Sequence, residues 1–135
     1  MKLIYYADDD IDDLNIFKDA IESTEYQVVV FFSGKALLES LEEAERKPDI
    51  IFLDIHMPLQ YGDEILVQIR NKSEFDDIPV VLVTGSLVSN QIDKYLQDGA
   101  NYLMQKEASL LKFREILNTI LRIDWRNFKW DSDLQ

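Results

Sequence analysis

The segment Asp49-Ile50-Ile51-Phe52-Leu53-Asp54 (DIIFLD, residues 49–54) decides the fold class. Its four central residues are all apolar, with no alternation between polar and apolar side chains. A strand with this pattern is buried on both faces, which is typical of a parallel sheet covered by helices. Because Asp54 follows directly, this strand places a carboxylate at its carboxyl end.

Strands and helices alternate on both sides of this segment. Apolar and β-branched runs predict further strands at residues 3–7, 26–32, 78–83 and 102–104. Apolar residues spaced three and four apart predict helices at about residues 10–24, 89–98 and 109–123. The same spacing predicts a helix that has Ser33 as its N-cap and stops at Pro48, and another that carries Ile65, Leu66 and Ile69. Gly99 is a suitable residue just after the end of the fourth helix. The (βα)5 order predicts one doubly wound α/β domain, a three-layer sandwich with helices on both faces of a five-stranded parallel sheet.

Composition excludes several classes of function. The 135-residue chain has a net charge of −12 and no basic cluster, so we expect no direct contact with nucleic acid. The absence of cysteine excludes disulfides and thiolate metal sites. The apolar runs are far shorter than the ~20 residues that cross a bilayer, and the start has no signal-peptide pattern. We therefore expect a soluble, cytoplasmic protein that makes no membrane contact.

Polar residues follow four of the predicted strands. Asp8 and Asp9 come after the first strand, Asp54 after the third, Thr84 after the fourth and Lys106 after the fifth. In open parallel sheets, ligands bind beyond the carboxyl ends of the strands. The pattern therefore predicts that these five residues converge in one crevice.

The clustered carboxylates indicate a bound cation. Each close pair of negative charges costs about 1 kcal/mol in water and several times more in a partly buried site. Oxygen ligands without cysteine favour Mg²⁺ or Ca²⁺, and the run after the first strand lacks the spacing of a calcium-binding EF-hand loop. Ligands from separate strand ends favour Mg²⁺. We interpret Asp10, Asp12 and Asp13 differently, as solvated residues at a helix N-terminus.

Four motifs together resemble a known family. They are the pair Asp8-Asp9, DIHMPLQYG at residues 54–62, VTG at residues 83–85 and GANYLMQK at residues 99–106. In this order the chain resembles the receiver (CheY-like) domain of bacterial two-component response regulators. The resemblance implies a flavodoxin-like sheet of order 2-1-3-4-5, a receiver domain at residues 1–123 and an aromatic C-terminal extension at residues 124–135.

The resemblance implies a role in phosphorelay signal transduction. Asp54 is then the phosphoacceptor, which takes its phosphoryl group from a sensor histidine kinase or a phosphotransfer protein. Thr84 is expected to hydrogen-bond the phosphoryl group, and Lys106 to pair with it. The chain is expected to catalyse its own phosphorylation and dephosphorylation without turning over a separate substrate. As a single-domain regulator, it is expected to signal through contact with a downstream protein.

The resemblance also implies a set of magnesium ligands. Asp9 and Asp54 are expected to bind Mg²⁺ directly, and Asp8 through a water molecule. The backbone carbonyl of His56 is expected to supply a further ligand. We interpret the His56 side chain itself as a solvent-facing loop residue.

Two positions depart from the family pattern. Glu107 follows Lys106 where the family usually has a proline with a cis peptide bond. A cis bond without proline costs ~3 kcal/mol, so both a cis bond and a trans bond that places Lys106 differently are open here. Leu103 stands where the family has its switch aromatic, and Tyr102 lies one position earlier. In the family, movement of the threonine, here Thr84, is coupled to the rotamer of this aromatic residue. Because neighbouring strand residues point to opposite faces, Tyr102 faces away from the position of the switch aromatic, which puts that coupling in question.

Alternative functions remain open at this point. A pseudo-receiver that binds partners without carrying phosphate fits the two departures. A phosphatase of the haloacid dehalogenase type needs a carboxylate two residues after its nucleophile, where this chain has His56. A flavodoxin-like cofactor site is disfavoured because three aspartates would repel the phosphate.

The tail contains three aromatic residues, Trp125, Phe128 and Trp130. Either they pack back on the last helix of their own chain, or the tail and the last helix together form the contact of a homodimer.

Overall fold

The computed structural model describes residues 1–21, 25–57, 59–87, 89–107 and 109–130. The end predicted for the first helix, the loop residue Pro58 and the last five residues of the tail lie outside these ranges. The strands found in the described ranges are β1 (Lys2–Ala7), β2 (Tyr26–Phe31), β3 (Ile50–Asp54), β4 (Val80–Thr84) and β5 (Tyr102–Gln105). The α-helices are α1 (Ile11–Ala20), α2 (Gly34–Glu43), α3 (Gly62–Arg70), α4 (Ser89–Gln97) and α5 (Leu110–Leu121).

The five strands form one parallel sheet in the order β2-β1-β3-β4-β5. This confirms the predicted α/β class and the 2-1-3-4-5 order. The register pairs Ala7 with Leu53 and Asp54 with Val83, so β1, β3 and β4 end almost level. The residues that follow these strands therefore emerge side by side at one edge of the sheet.

The central strands are buried on both faces. Every residue of β3 and β4 is buried, as the unbroken apolar run at residues 50–53 predicts. Directly beneath the carboxyl edge, the rings of Tyr6, Phe17 and Phe52 pack together, with centroids of Tyr6 and Phe17 4.3 Å apart. All three rings of this aromatic cluster are buried, so the residues at the carboxyl edge lie next to a closely packed part of the core.

Local hydrogen bonds set where helices begin and end. The Asp10 side chain accepts from the backbone N–H groups of Asp12 and Asp13 at the start of α1, and Ser33 accepts from Ala36 at the start of α2. Gly99, after α4, has a φ of +111°, a backbone conformation that glycine adopts without strain. Ser33 is therefore the N-cap of α2, and Gly99 lies just after the end of α4.

The described part of the tail packs against β5. The ring of Phe128 stacks on Tyr102 with a centroid distance of 5.7 Å, and Trp125 meets Phe128 edge-on at 5.3 Å. Trp130 is buried as well. The tail thus packs back on its own domain, but these ring contacts are with Tyr102 of β5, whereas we expected contact with the last helix.

Among the helices that the structure describes, none combines the length and the apolar character needed to span a bilayer.

Candidate functional site

Three carboxylates meet at the carboxyl edge of the sheet. One oxygen from each of Asp8, Asp9 and Asp54 lies within 4.8 Å of the other two. Asp8 is fully buried, Asp54 is 4% exposed and Asp9 faces solvent. The convergence follows from the sheet order, because β1 and β3 are adjacent and end level. Residues 46 positions apart in sequence thus share one pocket, as the pattern of strand ends predicts.

Lys106 supplies the positive charge in this pocket. Its Nζ donates to Oδ2 of Asp8 at 3.1 Å, to Oδ2 of Asp54 at 3.1 Å and to Oδ2 of Asp13 at 2.6 Å. An ammonium group has three N–H donors, so these three carboxylates use all of them. Its backbone is fixed too, since Lys106 N donates to the carbonyl of Thr84 at 2.8 Å. No cis peptide bond occurs in the described residues, so the bond between Lys106 and Glu107 is trans. The Lys106 side chain reaches Asp54 without the cis bond that the family usually has at this position.

The contact with Asp13 corrects one interpretation. We expected Asp13 to be a solvated residue at the N-terminus of α1, like Asp10 and Asp12. Its carboxylate is instead about one-third exposed and makes the shortest of the contacts to Lys106. One helical turn after Asp9, α1 carries this carboxylate back toward the end of β5.

Burial and neighbouring charges separate the pKa values of the two buried carboxyls. Burial and then the charge of Asp8 raise the pKa of Asp54 above its usual range. Burial acts in the same direction on Asp8, but hydrogen bonds from Tyr6 and the Asp10 amide outweigh it and lower the pKa of Asp8. Burial would lower the pKa of Lys106, but the carboxylates of Asp13, Asp54 and Asp8 raise it. In the absence of a metal ion, Lys106 therefore stays charged and offsets the carboxylates.

Tyr6 is a site residue that the sequence analysis missed. Its phenol hydroxyl donates to Oδ2 of Asp8 at 2.6 Å, and both residues are buried. Residues two apart in an extended segment point to the same face, so the tyrosine two positions before Asp8 was the available signal. That signal is weak, because an aromatic residue in a central strand usually belongs to the core.

Thr84 and His56 line the pocket on the β4 side. The Thr84 side chain is buried and donates to the carbonyl of Ser86 at 3.1 Å. Nε2 of the exposed His56 lies 3.4 Å from Oγ1 of Thr84. The backbone N–H of His56 donates to Oδ1 of Asp54 at 3.1 Å, which fixes one of the two carboxylate oxygens.

Two glycines border the pocket in different ways. Gly62 N donates to the carbonyl of Ile55, and a Cβ on Gly62 would lie 2.3 Å from the backbone oxygen of Asp54. The loop after β3 therefore folds back closely enough to require glycine. Among the described residues, nothing lies within 4 Å of a Cβ placed on Gly85, so space is open beside Thr84.

The donor set fits a hard divalent cation. All three candidate side-chain ligands are carboxylate oxygens, and they come from the ends of two adjacent strands, β1 and β3. Mg²⁺ is commonly bound by one or two carboxylates, with water and phosphate oxygens completing its shell. Lys106 is the cation that faces the oxygens of Asp8 and Asp54 in the structure.

Solved structures share this architecture. The phosphorylated cyanobacterial phytochrome response regulator RcpA is 27% identical, with a TM-score of 0.81, over 93% of this chain and 94% of that one. The Mn²⁺-bound form of response regulator Rcp1 is 20% identical, with a TM-score of 0.80, over 98% of this chain and all of that one. At 20% identity, the second comparison shows a shared fold.

Sequence comparisons agree with the fold. The polar-differentiation response regulator DivK of Brucella ovis is 29% identical over 121 residues, which cover 89% of this chain and 96% of that protein. The family model described as the response regulator receiver domain matches residues 4–118. That match spans every residue assigned to the pocket, from Tyr6 to Lys106. The chain therefore belongs to the family of response regulator receiver domains.

Proposed function

We propose that Asp54 is the phosphoacceptor of this receiver domain and takes its phosphoryl group in a Mg²⁺-dependent reaction. The observation that carries the proposal is the position of Asp54, whose carboxylate lies between two further carboxylates and the ammonium group of Lys106. A buried carboxylate with this surrounding charge is poorly explained by packing alone. As a nucleophile beside a bound cation, it has a clear chemical use.

The two oxygens of Asp54 differ in their surroundings. Oδ1 accepts from the His56 amide, whereas Oδ2 accepts from the side chain of Lys106. We assign Oδ2 as the attacking oxygen, because the long, partly exposed side chain of Lys106 can turn from it toward an incoming phosphoryl group. The new bond joins this oxygen to phosphorus, and the donor's bond to phosphorus breaks on the opposite side.

The metal ligands follow from the same geometry. Asp9 and Asp54 would bind Mg²⁺ directly, Asp8 through water, and the His56 carbonyl would add a further ligand. Receiver domains bind Mg²⁺ at this acidic pocket, where the ion offsets the charge of the carboxylates and the phosphoryl oxygens. The exposure of Asp9 leaves the ion a path from solvent.

Thr84 and Lys106 are assigned to the phosphoryl group itself. Both lie at the carboxyl edge next to Asp54, on β4 and directly after β5. The hydroxyl of Thr84 can donate to a phosphoryl oxygen once it leaves the Ser86 carbonyl. The open space beside Gly85 gives the group room to enter.

Partners and products follow from this chemistry. A sensor histidine kinase or a phosphotransfer protein would donate the phosphoryl group, and a downstream protein would recognise the phosphorylated domain. The chain would promote its own phosphorylation and dephosphorylation in the cytoplasm, with no separate substrate. A pseudo-receiver is disfavoured, because Asp8, Asp9, Asp54, Thr84 and Lys106 are all present and assembled.

Beryllofluoride, a phosphoryl mimic, tests this proposal. Fluorine NMR of the protein with beryllofluoride should show a bound signal that requires both Mg²⁺ and the Asp54 side chain. The matched variant is Asp54→Asn, which keeps the size of the side chain and removes its negative charge. A wild-type protein that gives no bound signal at saturating Mg²⁺ would support the pseudo-receiver alternative.

A further inference from the structure

The buried Tyr6 hydroxyl makes a contact that core packing does not require. The ring is 1% exposed and lies against Phe17, so a phenylalanine could fill the same space. The hydroxyl instead donates to Oδ2 of Asp8 at 2.6 Å, a length typical of a strong charge-assisted hydrogen bond. A hydroxyl buried at this position is stabilised only if such an acceptor stays in place.

Three donors hold the Asp8 carboxylate. Oδ1 accepts from the Asp10 amide at 3.0 Å, and Oδ2 accepts from both Tyr6 and Lys106. The donors differ in mobility. The Asp10 amide belongs to the backbone, and the Tyr6 ring is fixed in the aromatic cluster. Lys106 lies at the end of a long, partly exposed side chain.

We propose that Tyr6 is a positioning residue for the metal site, whose hydroxyl holds the Asp8 carboxylate in the orientation that Mg²⁺ binding requires. This inference rests on the proposed function, in which Lys106 leaves Asp8 and turns toward the phosphoryl group. Tyr6 and the Asp10 amide then remain as the donors that orient Asp8. Without the phenol, Oδ2 would have no fixed donor, and the carboxylate could rotate.

Outer partners of metal-binding carboxylates act in this way in general. They orient the ligands, and their removal typically weakens metal binding by about 10- to 100-fold. Asp8 would act through water, so its effect on the ion depends on where its oxygens point. The lower end of that range is therefore expected.

Tyr5 provides a matched control on the same strand. It is also buried, at 3% exposure, and its hydroxyl is within hydrogen-bond distance of Ser40 Oγ at 3.0 Å. Because neighbouring strand residues face opposite sides of the sheet, this hydroxyl lies away from Asp8. Tyr5→Phe and Tyr6→Phe thus remove the same atom from the same strand, but only the second removes a contact to the pocket.

Isothermal titration of Mg²⁺ into the wild type, Tyr6→Phe and Tyr5→Phe tests the inference. Tyr6→Phe should raise the dissociation constant of Mg²⁺ about 10-fold, whereas Tyr5→Phe should leave it nearly unchanged. Phosphorylation of Tyr6→Phe by acetyl phosphate should need more Mg²⁺, but its rate at saturating Mg²⁺ should stay close to that of the wild type. Circular dichroism melts of all three proteins in EDTA check that they are folded.

Each outcome has a distinct meaning. If the wild type binds no Mg²⁺, the proposed function itself fails. If the wild type binds and Tyr6→Phe binds equally well, the hydroxyl does not position Asp8. If both tyrosine variants weaken binding to the same extent, or if Tyr6→Phe lowers the rate at saturating Mg²⁺ instead of the affinity, the positioning role is also wrong.

Discussion

Nζ of Lys106 lies 3.1 Å from Oδ2 of Asp54, although the two residues are 52 positions apart in the sequence. Lys106 follows β5 and Asp54 ends β3, so β4 separates the strands that carry them. The lysine side chain therefore reaches across the edge of β4 to the carboxylate. The same ammonium group also contacts Asp8 and Asp13, which makes it the counter-charge of the whole pocket.

Replacing Lys106 with methionine should destabilise the metal-free protein. The change leaves the buried carboxylates of Asp8 and Asp54 without a counter-charge, which should cost about 1–3 kcal/mol in the free energy of unfolding. Urea unfolding in EDTA measures the loss. Because Mg²⁺ supplies charge at the same place, saturating Mg²⁺ should recover part of it. The control is Lys112→Met on the exposed face of α5, and equal effects of the two variants would contradict the assignment.

Replacing Asp54 with asparagine should stabilise the metal-free protein. Burial and the charge of Asp8 raise the pKa of Asp54, so its ionised form is disfavoured in the fold. A group with a raised pKa favours folding at low pH, and that contribution is lost as pH rises through the folded pKa. At pH 7, Asp54→Asn should therefore raise the free energy of unfolding by roughly 1 kcal/mol, the scale of one close charge pair in water.

Urea unfolding in EDTA and in Mg²⁺ tests this expectation for Asp54. The gain should shrink when Mg²⁺ is present, because the ion relieves the same repulsion in the wild type. Asp93→Asn, at an exposed position of α4, is the control and should change little. A lower stability of Asp54→Asn in EDTA would show that Lys106 already compensates the charge fully.

Alanine at Gly62 should lower stability, whereas alanine at Gly85 should affect phosphorylation instead. At Gly62, a Cβ would lie 2.3 Å from the backbone oxygen of Asp54, so Gly62→Ala should cost about 1–3 kcal/mol in stability. At Gly85 the described residues leave the space open, so Gly85→Ala should keep its stability. It should instead slow phosphorylation by acetyl phosphate, since the methyl group fills space beside Thr84. Normal kinetics in Gly85→Ala would show that the phosphoryl group does not enter there.

Removing the Phe128 ring should lower the melting temperature. Phe128 contacts both Tyr102 and Trp125, and one aromatic pair contributes about 0.5–1.5 kcal/mol. Phe128→Ala should therefore cost roughly 1–2 kcal/mol, whereas the exposed Lys129→Ala should cost little. Calorimetry measures the melt, and light scattering measures the mass in solution. An unchanged melt together with a lost dimer would mean that the tail packs between chains.

The sequence predicts the site residues that follow strands, because the end of a strand can be recognised from a few neighbouring residues. The sequence shows without coordinates that Asp54 follows one apolar run. It shows equally that Thr84 follows the next apolar run, with a helix between the two. Once the sheet is known to be parallel, these residues must share an edge. The sheet order itself does not follow from periodicity and entered through the family resemblance.

Two site residues depend on side-chain reach, which the sequence does not encode locally. In the sequence, Asp13 resembles any acidic residue in a first helical turn. Its contact with Lys106 becomes visible only when the structure places the end of β5 next to α1. Tyr6 resembles a core aromatic until its hydroxyl is found on Asp8. The exact ends of helices were also missed by a few residues, as in α5, which stops at Leu121.

Mass spectrometry of the protein after incubation with acetyl phosphate and Mg²⁺ tests the central claim most directly. We predict that the intact mass increases by one phosphoryl group, that borohydride reduction places it on Asp54, and that both EDTA and Asp54→Asn abolish it. A wild-type protein that stays unmodified at saturating Mg²⁺, or a phosphoryl group that persists in Asp54→Asn at the same yield, would contradict the account.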